Sequence, residues 1–223
     1  MSCRRRRHLG VSTKILHYVQ DDSIKSTLFT NSTTIGETKN LVVTPINQVL
    51  DLTHSSRDYD SLTYAVKVSG IIRFNINVKR ERQKDEQGAI IWENKGVYCV
   101  EMDSLLLLGR KHSNATYAYQ MGEELSFETL FSFGYHPDLF YLYRWLNLDV
   151  QLVYDRYSKA SSPNWQQVRA WKVYSGSIND FGEGYLCFRY LTDKKDRQIK
   201  YGWLKLNIAS SEKLEIIELA YMK

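Results

Sequence analysis

Several features that would indicate a membrane protein, a repeat protein or a secreted precursor are missing from this sequence. No run of about 18 or more apolar residues occurs, so no transmembrane helix is predicted. No repeat with a period of about 34 or 40 residues is visible, which argues against a solenoid or a propeller. No apolar stretch follows the N-terminal arginines, so the chain shows no signal peptide. A hydrophobic content of 43% instead indicates a globular protein.

The sequence signatures of familiar enzymes are missing as well. The chain has no GxSxG, GxGxxG or GxxxxGK[ST] motif, so neither a nucleophile elbow nor a nucleotide-binding loop is predicted. The three cysteines form no CxxC motif and no Cys/His cluster, which argues against a structural zinc site. These absences favour a noncatalytic protein without a cofactor.

Positive charge is concentrated at the N-terminus. The formal net charge is +5, but Arg4 to Arg7 supply four of these charges and leave +1 for the rest of the chain. A nucleic-acid-binding protein usually spreads Lys and Arg over a face or a stripe. The distribution therefore argues against a nucleic-acid partner.

Aromatic residues are abundant, with 16 Tyr, 8 Phe and 5 Trp, and such residues favour strands. Period-two patterns recur at intervals of roughly 10–15 residues, split by Gly, Asn, Asp and Ser. They predict an all-β, antiparallel β-sandwich, jelly-roll-like, with a partly open barrel as the alternative. We expect a basic, flexible segment over residues 1–13 and a single β domain over 14–223. The predicted strands cover residues 14–19, 41–52, 61–68, 70–78, 89–93, 96–102, 115–120, 138–146, 149–157, 167–176, 184–191, 199–208 and 213–222.

Two sets of carboxylates are candidates for a functional site. Asp51, Asp58 and Asp60 lie in a turn between predicted strands and are candidate calcium ligands, although the turn contains no glycine. Asp180 and Glu183 flank Gly182 and are a candidate acid/base pair for glycoside hydrolysis. In both cases an ordinary solvated turn explains the residues as well, and it is the preferred interpretation.

The tryptophan residues are the remaining sequence feature that indicates a binding function. Trp92, Trp165 and Trp171 lie in or next to predicted strands and are candidates for an aromatic platform that stacks on sugar rings. Large aromatic residues of a β domain more often fill the core or cover a sheet face. A contiguous exposed patch would favour the platform.

The cysteines leave two questions open. Cys99 and Cys187 each lie inside a predicted strand, where they either pair with each other or remain buried thiols. Cys3 is either the acylated cysteine of a lipoprotein whose precursor begins upstream, or part of a disordered basic terminus.

The C-terminal strands resemble the closing section of a broad group of bacterial secreted proteins and lipoproteins. In that group a GYLGFRF strand precedes a YGWI(R/K)L strand and a final strand that ends in AYE. The corresponding stretches here are GYLCFRYL, IKYGWLKLNI and KLEIIELAYM, and they cover about the last 40 residues. The stretch DLTHSSRDYDSLTYAVKV resembles the group's DLDGDGxxDF segment more weakly. The resemblance implies export, an all-β domain and a lipidated Cys3, and it supplies no catalytic residue.

Together these observations predict a noncatalytic, exported β-sandwich of the periplasm, outer membrane or cell surface, with a cytoplasmic location as the alternative. A lipid on Cys3 would be its only membrane contact, and its role would be binding or adhesion. The expected partner is a glycan or another envelope protein. The alternative function is that of a carbohydrate-binding module or a glycoside hydrolase.

Gly202 is predicted to act in packing. Alternation places Gly202 on the same face of its strand as Leu204 and Leu206, and Trp203 on the other. A glycine there leaves bare backbone that a neighbouring side chain can approach closely, and Tyr221 or Tyr185 is the expected neighbour.

Overall fold

The computed structural model describes the chain in eleven stretches: residues 32–39, 41–101, 105–110, 118–122, 124–126, 143–146, 150–159, 165–169, 172–173, 179–191 and 199–223. These residues form strands and turns, with no helix among them. The predicted segment 1–13 and the predicted strand 14–19 lie outside the described residues.

The described residues include fifteen strands. They are β1 (Ser32–Thr34), β2 (Leu41–Asp51), β3 (Tyr59–Val68), β4 (Ile71–Lys84), β5 (Ile90–Val100), β6 (Leu105–Arg110), β7 (Glu124–Ser126), β8 (Tyr143–Leu146), β9 (Val150–Ser158), β10 (Trp165–Arg169), β11 (Lys172–Val173), β12 (Asn179–Asp180), β13 (Gly182–Leu191), β14 (Ile199–Ser210) and β15 (Lys213–Met222).

Two larger antiparallel sheets form the body of the protein. The five-stranded sheet has the order β10-β9-β5-β4-β3, and the six-stranded sheet has the order β2-β15-β14-β13-β6-β8. Two small sheets pair β1 with β7 and β11 with β12. The chain passes between the two larger sheets after β2, β5 and β8, and again between β10 and β13 by way of the small β11–β12 sheet. This architecture confirms the predicted antiparallel β-sandwich.

One hydrophobic core lies between the two larger sheets. Val66, Phe74 and Val97 of the five-stranded sheet and Leu186 and Leu204 of the six-stranded sheet belong to the same buried cluster. The ring of Phe74 lies 5.9 Å from that of Phe188 across the sandwich, centroid to centroid. Residues alternate in and out along each strand, so each sheet presents a second face away from this core.

Several strand boundaries differ from those predicted, two of them in charged stretches. The strand predicted over residues 70–78 ends before the mixed-charge run that starts at Lys79, but β4 continues to Lys84 and the turn begins at Asp85. The two strands expected on either side of Asn94 are a single strand, β5. In both places charged residues occupy strand positions because they pair across the sheet, as the salt bridge between Arg82 and Glu93 illustrates.

A buried arginine joins the two sheets at one end of the sandwich. Arg80 on β4 is only 2% exposed, and its Nε donates to Glu212 Oε1 at 2.5 Å in the turn between β14 and β15. Its Nη2 donates to the carbonyl of Leu52 at 2.8 Å, and its Nη1 donates to that of Ser55. The guanidinium therefore connects β4, the β2–β3 connection and the β14–β15 hairpin.

Lys95 extends this ionic cluster across the five-stranded sheet. Its Nζ lies 3.1 Å from carboxylate oxygens of both Glu93 and Asp155 and 3.8 Å from Glu212. Burial alone lowers the pKa of Lys95, but the hydrogen bonds to Asp155 and Glu93 outweigh it, so the pKa is raised. Together with Arg80 and Arg82, the cluster balances three cations against three carboxylates.

Gly202 does create a close approach, but not to either expected tyrosine. A Cβ at this position would lie 2.8 Å from Cζ of Phe188 and closer still to the carbonyl oxygen of Ala220. Phe188 is the register partner of Gly202 in β13 and faces the core, whereas Tyr185 belongs to the cluster on the other face of the sheet. Tyr221 is the register partner of Gly202 in β15. The predicted packing role is thus correct, with Phe188 as the side chain that uses the space.

Cys99 and Cys187 are both buried, and no disulfide joins them. Cys99 faces the core from the five-stranded sheet, while Cys187 lies beside Trp203 on the outer face of the six-stranded sheet. Burial raises the pKa of the Cys99 thiol. The interpretation of the two residues as buried thiols is therefore correct.

Across the described part of the chain, no helix has both the length and the apolar character needed to cross a membrane.

Candidate ligand-binding face

The outer face of the five-stranded sheet is set by the alternation of residues along β5. Val97 and Cys99 are completely buried in the core. Trp92, Asn94 and Tyr98 alternate with them and therefore lie on the opposite face of the sheet. We call this surface the outer face; the residues used below are Trp92, Asn94, Gly96, Tyr98, Gln151, Tyr154, Arg156, Ser158 and Trp165.

Two tryptophans lie in one row across this face. Ser158 on β9 pairs with Trp92 on one side and with Trp165 on the other, so the three residues share a face. Two strand spacings separate the tryptophan backbones, about 10 Å. Trp165 is 41% exposed and Trp92 is partly exposed. This separation is comparable to the length of two pyranose units.

The next rows carry polar side chains that hold one another in place. Arg156 Nε donates to Asn94 Oδ1 at 3.2 Å, and Arg156 Nη2 donates to Gln151 Oε1 at 2.9 Å. Gln151 Nε2 in turn donates to the Tyr98 hydroxyl at 2.8 Å. The Arg156 guanidinium lies 4.6 Å from the centroid of the Tyr154 ring. These contacts fix the guanidinium and the amides in defined positions before any ligand arrives.

Gly96 makes room for this arrangement in the middle of the sheet. A Cβ at Gly96 would lie 3.0 Å from atoms of the Tyr98 ring and 2.7 Å from the carbonyl oxygen of Val153. Because glycine has no Cβ, the Tyr98 ring can lie close to the backbone beside it. Its hydroxyl is then within reach of Gln151 and of Asn94 Nδ2, at 2.8 and 3.3 Å.

The chemistry of the outer face suits a molecule with flat apolar faces and many hydroxyl groups. Exposed tryptophan rings offer large, rigid apolar surfaces. Amides and a guanidinium offer hydrogen-bond donors and acceptors in a fixed array. Sugar rings have the matching combination of apolar C–H faces and peripheral hydroxyls.

The structure brings together two of the three predicted platform residues. Trp92 and Trp165 share the outer face, and Trp171 lies outside the described residues. The sequence alone did not indicate Arg156, Asn94 or Gln151, because their grouping depends on which strands are neighbours. The period-two spacing of Trp92 and Asn94 is the only signal that links them along the chain.

The three candidate calcium ligands are engaged with separate partners. Asp51 accepts from the Thr53 hydroxyl at 2.6 Å, and this bond is the main reason why the pKa of Asp51 lies below its ordinary value. Asp58 lies 2.6 Å from Lys84 Nζ, and Asp60 accepts from the Ser55 hydroxyl at 2.5 Å. Within the described stretches, no three His, Cys, Asp or Glu side chains are grouped so that they could hold a metal ion.

The candidate acid/base pair is divided between two sheets. Glu183 lies on β13 of the six-stranded sheet, where its carboxylate is exposed and 3.2 Å from Lys205 Nζ. Asp180 lies on β12, which pairs with β11 in a small sheet. Cys3 lies outside the described residues.

A groove of about 400 Å³ opens between the edge strands β2 and β3, away from the tryptophan row. Its lining consists of Thr44, Ile46, Tyr64, Ala65, Lys67 and Leu219, with Lys67 as the charged member. It contributes no carboxylate or imidazole to acid/base chemistry.

No known family model matches the chain, and no curated protein or solved structure is significantly similar to it.

Proposed function

We propose that this chain is a noncatalytic protein that binds carbohydrate on the outer face of its five-stranded sheet. The observation that supports this most strongly is the row in which Ser158 separates Trp92 from Trp165. Sugar rings would stack on the two indoles, and their hydroxyls would bond to the amides of the next row. This function combines the binding role expected from the sequence with its carbohydrate alternative.

The polar network beside the tryptophans supports the same function. A flexible amide loses rotational freedom when it binds a ligand, and this loss opposes association. Here Asn94 and Gln151 are already held by Arg156 and Tyr98. The amides of the outer face are therefore already ordered before binding. Little rotational freedom is lost when a ligand binds, and this favours binding of a largely polar ligand.

The cellular setting is part of the same proposal. The protein acts at the cell envelope, anchored through a lipid on Cys3, and its glycan is a component of that surface or of a surface it contacts. The support is the resemblance of the last three strands to exported proteins and lipoproteins. Globomycin-sensitive processing of the full-length gene product and its recovery in the membrane fraction would test this setting. A cytosolic product that retains Met1 would contradict it.

We expect Trp92→Ala and Trp165→Ala each to weaken glycan binding by roughly tenfold, which corresponds to about 1.4 kcal/mol of lost stacking. A glycan array selects the ligand, and calorimetry then measures its dissociation constant for each variant. Both variants should retain the wild-type melting temperature within a few degrees, since Trp165 is exposed and Trp92 partly so.

Met121→Ala is the matched control for this experiment. Met121 is a large apolar residue that is 74% exposed in a turn beside Gly36, and it lies against the six-stranded sheet instead of the outer face. Its replacement should leave the affinity unchanged. The absence of any glycan ligand for the folded protein, or an equal loss in all three variants, would contradict the proposed function.

A further inference from the structure

Arg156 carries a positive charge that no described carboxylate neutralises. Its contacts are the neutral side chains of Asn94 and Gln151 and the ring of Tyr154. Asp155, the preceding residue, faces the other side of the sheet and contacts Lys95. The guanidinium is thus held in place by groups that carry no negative charge.

Three other basic residues of the same sheet have carboxylate partners. Lys79, which shares the outer face, lies 2.6 Å from Glu81, and this hydrogen bond raises the pKa of Lys79. Arg80 and Arg82 face the core side and pair with Glu212 and Glu93. Arg156 differs from these three residues in that its contacts given above are all with neutral groups.

The position of Arg156 relates this charge to the tryptophan row. Arg156 lies two residues before Ser158 on β9, on the same face, and pairs across the sheet with Asn94 and Gln167. A sugar chain that stacks on Trp92 and Trp165 therefore passes about 7 Å from the Arg156 backbone, two residues along the strand. The guanidinium itself is directed away from the row, over the Tyr154 ring and against Gln151, so the group that meets it must extend from the stacked sugars along β9 toward Tyr154.

We infer that the ligand of the outer face is an acidic polysaccharide, whose rings stack on Trp92 and Trp165 and whose anionic groups bind Arg156. This inference rests on the proposed function and names its ligand class. A planar guanidinium binds carboxylate and sulfate oxygens through two parallel hydrogen bonds, which are stronger than bonds between neutral groups. The pair would form beside the Tyr154 ring, where partial exclusion of water strengthens it.

Polygalacturonate and its fully methyl-esterified form provide a matched pair of test ligands, because they differ in charge but share the same sugar ring. At low ionic strength we expect the intact protein to bind polygalacturonate at least about tenfold more tightly than the methyl-esterified form. The preference should shrink as salt is added, because salt screens the exposed part of the interaction. Chondroitin sulfate and its desulfated form show whether sulfate serves as well as carboxylate.

Two substitutions test whether the preference for polygalacturonate over its methyl ester depends on Arg156. Arg156→Gln removes the charge and should make the affinities for the two pectin forms equal. Asn94→Asp is nearly isosteric and supplies an internal carboxylate at the atom that already accepts from Arg156 Nε. It should abolish the preference, so that the affinities for the two pectin forms become equal. Lys39→Gln, an equal charge change in an exposed turn, should preserve the full preference.

The outcomes separate the inference from the proposed function. Equal affinity of the wild-type protein for both pectin forms, with binding still lost in Trp165→Ala, overturns the inference and leaves the proposed function standing. A preference that survives in both Arg156→Gln and Asn94→Asp also overturns it. Tighter binding of a single-stranded oligothymidylate would assign the face to nucleic acid, which stacks on aromatic rings as well. Failure to bind any glycan overturns both.

Discussion

Replacing Arg80 with leucine is expected to lower the free energy of unfolding by about 3–5 kcal/mol, because it leaves the partly buried Glu212 carboxylate with only the more distant Lys95 as a counter-ion. The side chain of Arg80 is 2% exposed and that of Glu212 is 15% exposed. The substitution also leaves the carbonyl groups of Leu52 and Ser55 without this donor. Urea denaturation of wild type and variant measures the loss, with an unchanged m-value as evidence that the unfolding transition is comparable.

Lys79→Ala is the control for this prediction. Lys79 precedes Arg80 in β4, and its ion pair with Glu81 is partly exposed, with side-chain exposures of 34% and 29%. Such pairs contribute about 1 kcal/mol or less. The double variant Arg80→Leu with Glu212→Leu should recover part of the lost free energy of unfolding, since it also removes the carboxylate that Arg80 neutralises. The role of Arg80 as a buried connector would be refuted by a loss no larger than that of Lys79→Ala.

Gly202→Val is the second substitution with a large expected effect. A Cβ at Gly202 already lies 2.8 Å from Cζ of Phe188, and the backbone carbonyl of Ala220 cannot move without disturbing the β14–β15 pairing. We expect a loss of about 3 kcal/mol, at the upper end of what overpacking of a core costs. Thermal unfolding followed by circular dichroism would report it as a lower melting temperature.

A control for Gly202→Val lies in the same strand. Ala209→Val adds two methyl groups, one carbon fewer than Gly202→Val, at an exposed position of β14 and should be nearly neutral. Gly202→Ala combined with Phe188→Leu should recover only part of the loss of Gly202→Ala, because the ring contact is relieved but the carbonyl contact remains. Equal stability of Gly202→Val and Ala209→Val would show that the glycine is not required for packing.

The positions of most strands were predictable from the sequence, because they depend on the local alternation of apolar and polar residues. The pattern around Gly202, with Leu204 and Leu206 on one face and Trp203 on the other, is reproduced in the two hydrophobic clusters of the structure. The extent of β4 was not predictable, because the run that begins at Lys79 is polar on both faces. Its strand conformation depends on cross-strand partners such as Glu93, which no local pattern reveals.

The candidate binding face was only partly predictable for a related reason. The sequence indicated Trp92 and Trp165 as individual aromatic residues, separated by 72 positions in the chain. Their proximity depends on β9 lying between β5 and β10, which is a property of the strand order. Arg156 was overlooked because its significance depends on a missing counter-ion, and that can be judged only when its neighbours are known.

The central claim, that ligand binds the outer face through Trp92 and Trp165, can be tested by the indole N–H signals of the five tryptophans in ¹H–¹⁵N NMR spectra. Single Trp→Phe variants assign the signals, and a short oligogalacturonate and its methyl ester are added in turn. The Trp92 and Trp165 signals should shift with ligand, while that of Trp203 should not, since Trp203 is 2% exposed and lies on the other sheet. Unchanged Trp92 and Trp165 signals at ligand concentrations that saturate binding would contradict it.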